Sequence, residues 1–291
     1  KRQLLCAGAT ERSIAFENND RPGIMLAGSV RAYANRWATA VGNRIAIFTN
    51  NDDAYRTAHD LHQLGVEIAA VIDSRPEAPE SSSFEVLSAS EVVNTHGRLG
   101  LNSIDVKTPQ GLRQIQVSGL GVSGGWNPNI HLTCHQRGRP QWDAAVSAFI
   151  PSAELPEGLH VAGAANGQMT TAAAIDDAVK KAAKITKGFG RKPTMLTKLK
   201  ISDESTSITP FWYVTGTERG WVDQQNDVTV KDIKLAHQEN FRSVEHLKRY
   251  TTLGMATDQG KTSNVLGLAI MAHTAGQSIP DTGTTIYRPP Y

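Results

Sequence analysis

The stretch Gly158 to Ile185, GLHVAGAANGQMTTAAAIDDAVKKAAKI, constrains this chain more than any other. Leu159 to Ala162 is a short apolar run with strand character. Gly163 to Gly167 turns on small residues, and Met169 opens an alanine-rich helix. Such a corner aims unpaired backbone N–H groups and the positive end of a helix dipole at one spot, which makes it an anion site. Side chains no larger than Asn let a diphosphate approach the backbone. A tight strand–helix corner with no ligand satisfies the same pattern.

Before this corner the chain alternates strands and helices. Gln3 to Ala7 reads as a strand, and Asn18 to Gly23 as a polar turn. Ile24 to Trp37 has helical spacing at Met25, Leu26, Val30 and Tyr33. Arg44 to Thr49, Asp53 to Leu64 and Val66 to Ile72 predict a βαβ unit of nucleotide-binding length, with Gly65 closing the helix. Its turn is Thr49-Asn50-Asn51-Asp52-Asp53 in place of G-x-G-x-x-G. Two acids stand where pyrophosphate oxygens would lie, so the unit reads as disabled or repurposed. Val92 to Thr95, Gly100 to Lys107 and Arg113 to Val117 predict an antiparallel meander. Leu120 to Asn129 reads as a glycine-rich loop whose Trp126 plugs it or meets a partner.

Residues 191–210 carry charge, Pro, Ser and Thr with little periodicity and read as a linker. Helices are expected from Thr229 and Ser243, both N-cap residue types, and from Val265 to Thr274 with Gly276 as the stop. The expected division is a dinucleotide-binding domain over 1–195 and a small helical domain over 196–291. The helical part has a thin core and needs outside support. The fold class expected is α/β, a reductase-like three-layer domain with a β-meander, plus a mainly helical C-terminal domain.

The 291 residues are 40% hydrophobic and 20% charged, enough for a substantial core. A net charge of +2 with no basic block gives nucleic acid no electrostatic footprint. No apolar run approaches the roughly 20 residues that cross a bilayer, and no signal peptide is present, so a cytoplasmic protein is expected. Cys6 and Cys134 form neither a disulfide framework nor a metal knuckle and read as buried thiols. The first and last residues, entering on a strand and stopping in a proline segment, read as those of a piece of a longer polypeptide. His59 and His62 share a helix face without an acidic companion and read as a surface pair. Gly260-Lys261-Thr262-Ser263 matches the tail of a P-loop, but Met255 replaces the earlier glycine, so ATP is not expected. A lysine and two hydroxyls at a helix start still suit a flavin or nucleotide phosphate, or simply cap the helix.

Several segments together resemble one family. Gly8-Ala9-Thr10-Glu11-Arg12, Asn19-Asp20-Arg21-Pro22-Gly23, Thr49-Asn50-Asn51-Asp52, Gly125-Trp126-Asn127-Pro128 and Arg249 to Lys261 (RYTTLGMATDQGK) are similar to the alpha subunit of heterotetrameric sarcosine oxidase. The similarity spans essentially the whole chain. It implies oxidative demethylation of sarcosine to glycine, with hydrogen peroxide formed and the methyl carbon passed to tetrahydrofolate. It also implies NAD in the alpha subunit, FAD in the beta subunit, FMN at their interface, and gamma and delta subunits as further partners. Carried over, Gly163, Ala164, Met169 and Thr171 match a dinucleotide contact at the corner, with Gly8 and Ala9 beside it. For FMN, residue chemistry singles out Lys261, Thr262 and Ser263, with Arg249 as a further cation. No catalytic residue and no metal ligand is expected in this chain. Related small domains carry iron–sulfur cysteines, whereas no cysteine follows Cys134 here. The rival readings are the alpha subunit of a proline or opine dehydrogenase and a non-catalytic scaffold that only binds partner subunits.

Overall fold

The computed structural model describes residues 1–135, 138–194, 201 and 203–283. Gln3–Leu5 (β1) leads to Ala9–Glu11 (β2), and Ile24–Leu26 (β3) runs straight into Ala27–Trp37 (α1). The single helix expected from Ile24 therefore starts three residues later. The helical spacing of Met25 and Leu26 yields to a parallel ladder in which β3 pairs with residues Leu120 to Val122. Arg44–Thr49 (β4), Asp53–Gln63 (α2) and Glu67–Asp73 (β5) form the expected βαβ unit, and Gly65 closes it at φ +84°. Val86–Leu87 (β6) follows. Glu91–His96 (β7), Ser103–Thr108 (β8) and Gly111–Gln116 (β9) form the expected antiparallel meander.

The glycine-rich segment expected to be a loop holds a strand, Gly119–Ser123 (β10), and another at Trp126–Pro128 (β11). β10 is buried at every position and sits between β3 and β4 in a parallel sheet ordered β3-β10-β4-β5-β6. Its glycines serve close packing: a Cβ on Gly121 would meet Ala27 at 3.4 Å, and one on Gly119 would meet Ile45 Cγ1 at 3.3 Å. The ladder on both sides supplies what residue propensity does not.

Alternation along β4 divides the core into two layers. Ile45 and Ile47 pack with α1 and α2 through Val30, Ala58 and Leu61. Ala46 and Phe48 face the meander through Val92, Ile104, Val106 and Ile115. The three layers are thus helices, parallel sheet and meander.

Gln141–Asp143 (β12) and Ala148–Ile150 (β13) form a hairpin, and Leu159–Val161 (β14) pairs parallel with β1. A 3₁₀ turn at Gly163–Asn166 precedes the helix Thr171–Gly188 (α3), none of whose residues is buried. Of the expected linker, residues 195–200 and 202 lie outside the described residues, as does the expected boundary at 195. The described part, 203–210, is no free tether: Ile208 bridges to Asn51.

Trp221–Asp223 (β15) and Val228–Thr229 (β16) open the C-terminal module, followed by Val230–Gln238 (α4), Val244–Thr251 (α5), Asn264–Ala275 (α6) and Ile279–Thr282 (α7). Thr229 forms a full capping box with Asp232, and the Ser243 side chain accepts from the His246 amide. α6 is buried continuously from Asn264 to Ala272. The outside support this module needs comes from the first domain: Ala15, Ile130 and Phe149 belong to the same core as Val230, Ile233, Leu266 and Ile270. Contrary to expectation, only Cys134 is a buried thiol; Cys6 is exposed. The proline-rich end, 284–291, lies outside the described residues.

Candidate functional site

The corner is built largely as expected. β14 ends at Val161, Gly167 takes φ +78°, and Thr170, with its side chain accepting from the Ala173 amide, caps α3. The helix begins at Thr171, two residues later than expected from Met169. In front of the corner is a cavity of about 270 Å³. Four of the six expected corner residues, Ala9, Ala164, Met169 and Thr171, line it. Gly8 and Gly163 are not among the lining residues.

Other segments complete the lining. Asn51 comes from the turn before α2, and Asp53 and Arg56 from the first turn of that helix. Gly125 and Trp126 come from the start of β11, and Glu204, Thr206 and Ile208 from the crossing segment. Trp126 is therefore a wall of the cavity. The lining combines apolar and aromatic side chains with two carboxylates, an amide and one guanidinium. Asn51 and Asp53 were noticeable as an unusual turn. Glu204 carried no signal, because a lone acid in a polar segment reads as solvated.

The amides expected to receive a diphosphate are already bonded. Gly163 N–H donates to Asp177 Oδ2 at 3.1 Å. The Thr171 amide and hydroxyl both donate to Glu204 Oε1, at 2.9 and 2.7 Å, and the Ala172 amide to Asp203 Oδ1 at 3.4 Å. The amides of Gly167 and Gln168 are spent on carbonyls of the turn. With the crossing segment docked, carboxylates of the chain itself take the amides at the start of α3. Burial works against ionising Glu204, but the Thr171 bonds and Arg56 prevail and hold its carboxyl below the usual range.

At the turn Thr49 to Asp53 the two acids are also engaged. Asp52 pairs with Arg75 at 2.8 Å, and Arg75 pairs with Asp73 at 2.7 Å. Tyr55 donates to the same Asp73 at 2.8 Å. Asp53 pairs with Arg56. This ion network lies at the turn where G-x-G-x-x-G would stand in a dinucleotide-binding unit.

Of the four residues singled out for an FMN phosphate, three have side-chain partners within the chain. Ser263 is buried and donates to Asp223 at 3.1 Å, and Thr262 donates to Asp258 at 3.0 Å. Arg249 sits on the exposed face of α5, beside Glu245. Thr262 lines a second cavity, of about 310 Å³, whose ionisable lining groups are Glu11 and Asp258.

The parallel sheet, its flanking layers and the strand–helix corner define an α/β fold of the kind found in FAD/NAD(P)-dependent oxidoreductases. L-proline dehydrogenase from P. horikoshii shares it over 100% of this chain and 56% of its own, with a TM-score of 0.76 at 19% identity. A thioredoxin reductase from T. acidophilum shares it over 64% of this chain, with a TM-score of 0.50 at 12% identity. Residues 217–291 match the sarcosine oxidase A3 domain family. The chain is 40% identical over 293 residues to sarcosine oxidase subunit alpha of Rhizobium meliloti (strain 1021), covering 99% of this chain and 30% of that protein. It is 37% identical over 316 residues to the same subunit of Corynebacterium sp. (strain P-1), covering 99% and 32%. The chain is similar to one segment of the sarcosine oxidase alpha subunits and spans about a third of their length.

Among the described residues no helix is long and apolar enough to cross a membrane, and no group of three His, Cys, Asp or Glu is placed to hold a metal. His59 packs against Phe84, with ring centroids 4.9 Å apart.

Proposed function

We propose that this chain is the nucleotide-holding part of a cytoplasmic sarcosine oxidase alpha subunit. The complex would demethylate sarcosine oxidatively to glycine, forming hydrogen peroxide and passing the methyl carbon to tetrahydrofolate. NAD would reside in this subunit, FAD in the beta subunit and FMN where the two meet, with gamma and delta subunits completing the assembly. The observation that carries this reading is the 40% identity over 99% of the chain. The cavity at the strand–helix corner, lined by Ala9, Ala164, Met169 and Thr171, supports that reading.

The chain's own residues bind and shield. Trp126, Ala9, Ala164 and Met169 offer an apolar wall for the flat part of a nucleotide. Asp53, Glu204 and Asn51 offer acceptors for sugar hydroxyls. A bound nicotinamide dinucleotide carries hydride chemistry; the cavity supplies its enclosure. Nothing in the cavity is arranged to oxidise an amine, and that step falls to a flavin in a partner subunit. For FMN, Lys261, Thr262, Ser263 and Arg249 are the contacts of this reading, although the hydroxyls of Thr262 and Ser263 donate to carboxylates within the chain.

The test places charge in the cavity. Ala164→Glu in the assembled complex is expected to lower the NAD recovered after mild acid release by about tenfold, since an unpaired carboxylate there costs more than 1.4 kcal/mol. Unchanged NAD content would overturn the assignment.

A further inference from the structure

The second cavity, of about 310 Å³, lies where the first domain meets the C-terminal module. Glu11 reaches it from β2, Met25 from β3 and Val122 from β10; Trp221 comes from β15, Asp258 from the turn before α6 and Leu266 from α6 itself. Two of the lining residues carry a buried polar atom with no hydrogen bond among the described residues: Glu11 Oε1 and Trp221 Nε1. Both residues are fixed in place. Glu11 is only 5% exposed, and its other oxygen, Oε2, accepts from the Gly28 amide at 2.7 Å. Asn19 holds the Trp221 backbone, accepting from its amide at 2.7 Å and donating to its carbonyl at 3.0 Å. A buried acceptor and a buried donor left unpaired are costly, and a bound molecule that satisfies both removes the cost.

We infer that this cavity binds a small organic ammonium carrying a neutral hydrogen-bond acceptor, with an ammonium N–H given to Glu11 Oε1 and the acceptor taking the Trp221 indole N–H. Charge selects the ammonium. The ionisable lining groups are Glu11 and Asp258, and among the described residues no Lys, Arg or His lines the cavity. Asp258 already accepts from the Gly260 amide at 2.8 Å and the Thr262 hydroxyl at 3.0 Å, so it contributes its charge and leaves the direct bond to Glu11. A carboxylate on the ligand would meet both acids with like charge, which disfavours amino acids. The lining also disfavours a bare metal ion. Met25, Val122 and Leu266 offer carbon where such an ion needs oxygen, and among the described residues no group of three His, Cys, Asp or Glu is placed to hold one. The volume matches about ten water molecules at about 30 Å³ each, which suits a molecule of a few carbons and not a dinucleotide. The site is therefore separate from the corner cavity and does not depend on the nucleotide reading. Burial pushes the Glu11 carboxyl up to about 7, with Ser123, Gly28 and Arg31 opposing and Asp53 assisting. An ammonium beside Oε1 favours the ionised carboxylate, so the ligand and a proton compete for Glu11.

The probe is ethanolamine, a cation near neutral pH, titrated calorimetrically into the full-length protein that contains this chain. Saturable binding is expected, with an affinity about tenfold lower at pH 6 than at pH 8, because the proton holds Glu11 at the lower pH. Glu11→Gln is expected to lower the affinity about tenfold at pH 8 and to abolish its pH dependence. The parent is expected to prefer ethanolamine over ethylamine, which lacks the hydroxyl, by about fivefold. Trp221→Phe is expected to bind the two alike. Ethylene glycol, neutral and of the same size, binding as tightly as ethanolamine would overturn the ammonium assignment. Absence of saturable ethanolamine binding would overturn the site, as would binding that both substitutions leave unchanged. If Glu11→Gln does not fold, the pH profile of the parent and the Trp221→Phe comparison decide. A protein that retains NAD without binding ethanolamine would sink this inference and leave the proposed function standing.

Discussion

Buried Asp223 organises the loop before α6. Its Oδ2 accepts from the Gly254 amide at 2.8 Å, from Asn226 Nδ2 at 3.0 Å and from Ser263 Oγ at 3.1 Å, while Oδ1 accepts from the Gln225 and Asn226 amides. Removing the acceptor orphans several donors at once. Asp223→Ala is expected to cost about 3 kcal/mol in urea unfolding, and Ser263→Ala only about 1 kcal/mol. Equal losses would mean that Ser263 does more than satisfy Asp223. The GKTS string that resembled a phosphate loop is explained by this acid: its serine is a structural donor. Glu11 provides a second case. Burial first of all pushes its carboxyl from an ordinary 4.5 up to about 7, with Asp53 assisting and Ser123, Gly28 and Arg31 opposing. Because the folded value lies above the unfolded one, the folded protein holds the extra proton between those limits. Stability from this group is therefore full below about pH 4.5 and lost as pH rises through about 7. Glu11→Gln is expected to flatten the pH dependence of unfolding in that window, gaining about 3 kcal/mol on the parent between pH 5 and 8. Identical pH profiles would show that Glu11 does not titrate on folding.

Elements differ in how openly the residues declare them. β4, α2 and β5 were legible because apolar runs and helical spacing agree with Gly65 as the stop. α4 and α5 were legible through Thr229 and Ser243. Thr229→Ala breaks a capping box with both halves present, and is expected to lower stability by about 1 kcal/mol, read as a shift in the thermal midpoint. No shift would mean that tertiary packing alone holds α4. β3 and β10 were not legible. Three apolar residues at helical spacing before α1 continue a helix on paper, and a strand of Gly, Leu, Gly, Val and Ser has little propensity. Both exist because each completes the other's ladder. α3 poses the reverse case: plainly helical in sequence, it has no buried residue in the described chain.

At the scale of the molecule, the two parts share a core and are tied by backbone. Ala15 bridges to Tyr213, and Asn19 makes two bonds to Trp221, accepting from its amide at 2.7 Å and donating to its carbonyl at 3.0 Å. Asn19 is buried, so Asn19→Ala is expected to cost about 2 kcal/mol. With a core cluster shared between the two parts, far-UV dichroism and tryptophan fluorescence are expected to lose signal together in parent and variant. Two separated transitions would show that the helical module folds on its own. Ala15, Ile130 and Phe149, from before residue 195, belong to the core of the C-terminal helices.

By itself the sequence determined the kinds of element, the strand–helix corner and four residues that line its cavity. These depend on neighbours along the chain: apolar period, small residues at a turn, hydroxyls before a helix. Tertiary structure alone decided what fills the corner. Glu204 lies 33 residues beyond Thr171 and Arg75 lies 23 beyond Asp52, and no local pattern announces that their charges meet. An amide cluster attracts any anion, and only the folded chain determines whether that anion is a ligand or its own carboxylate.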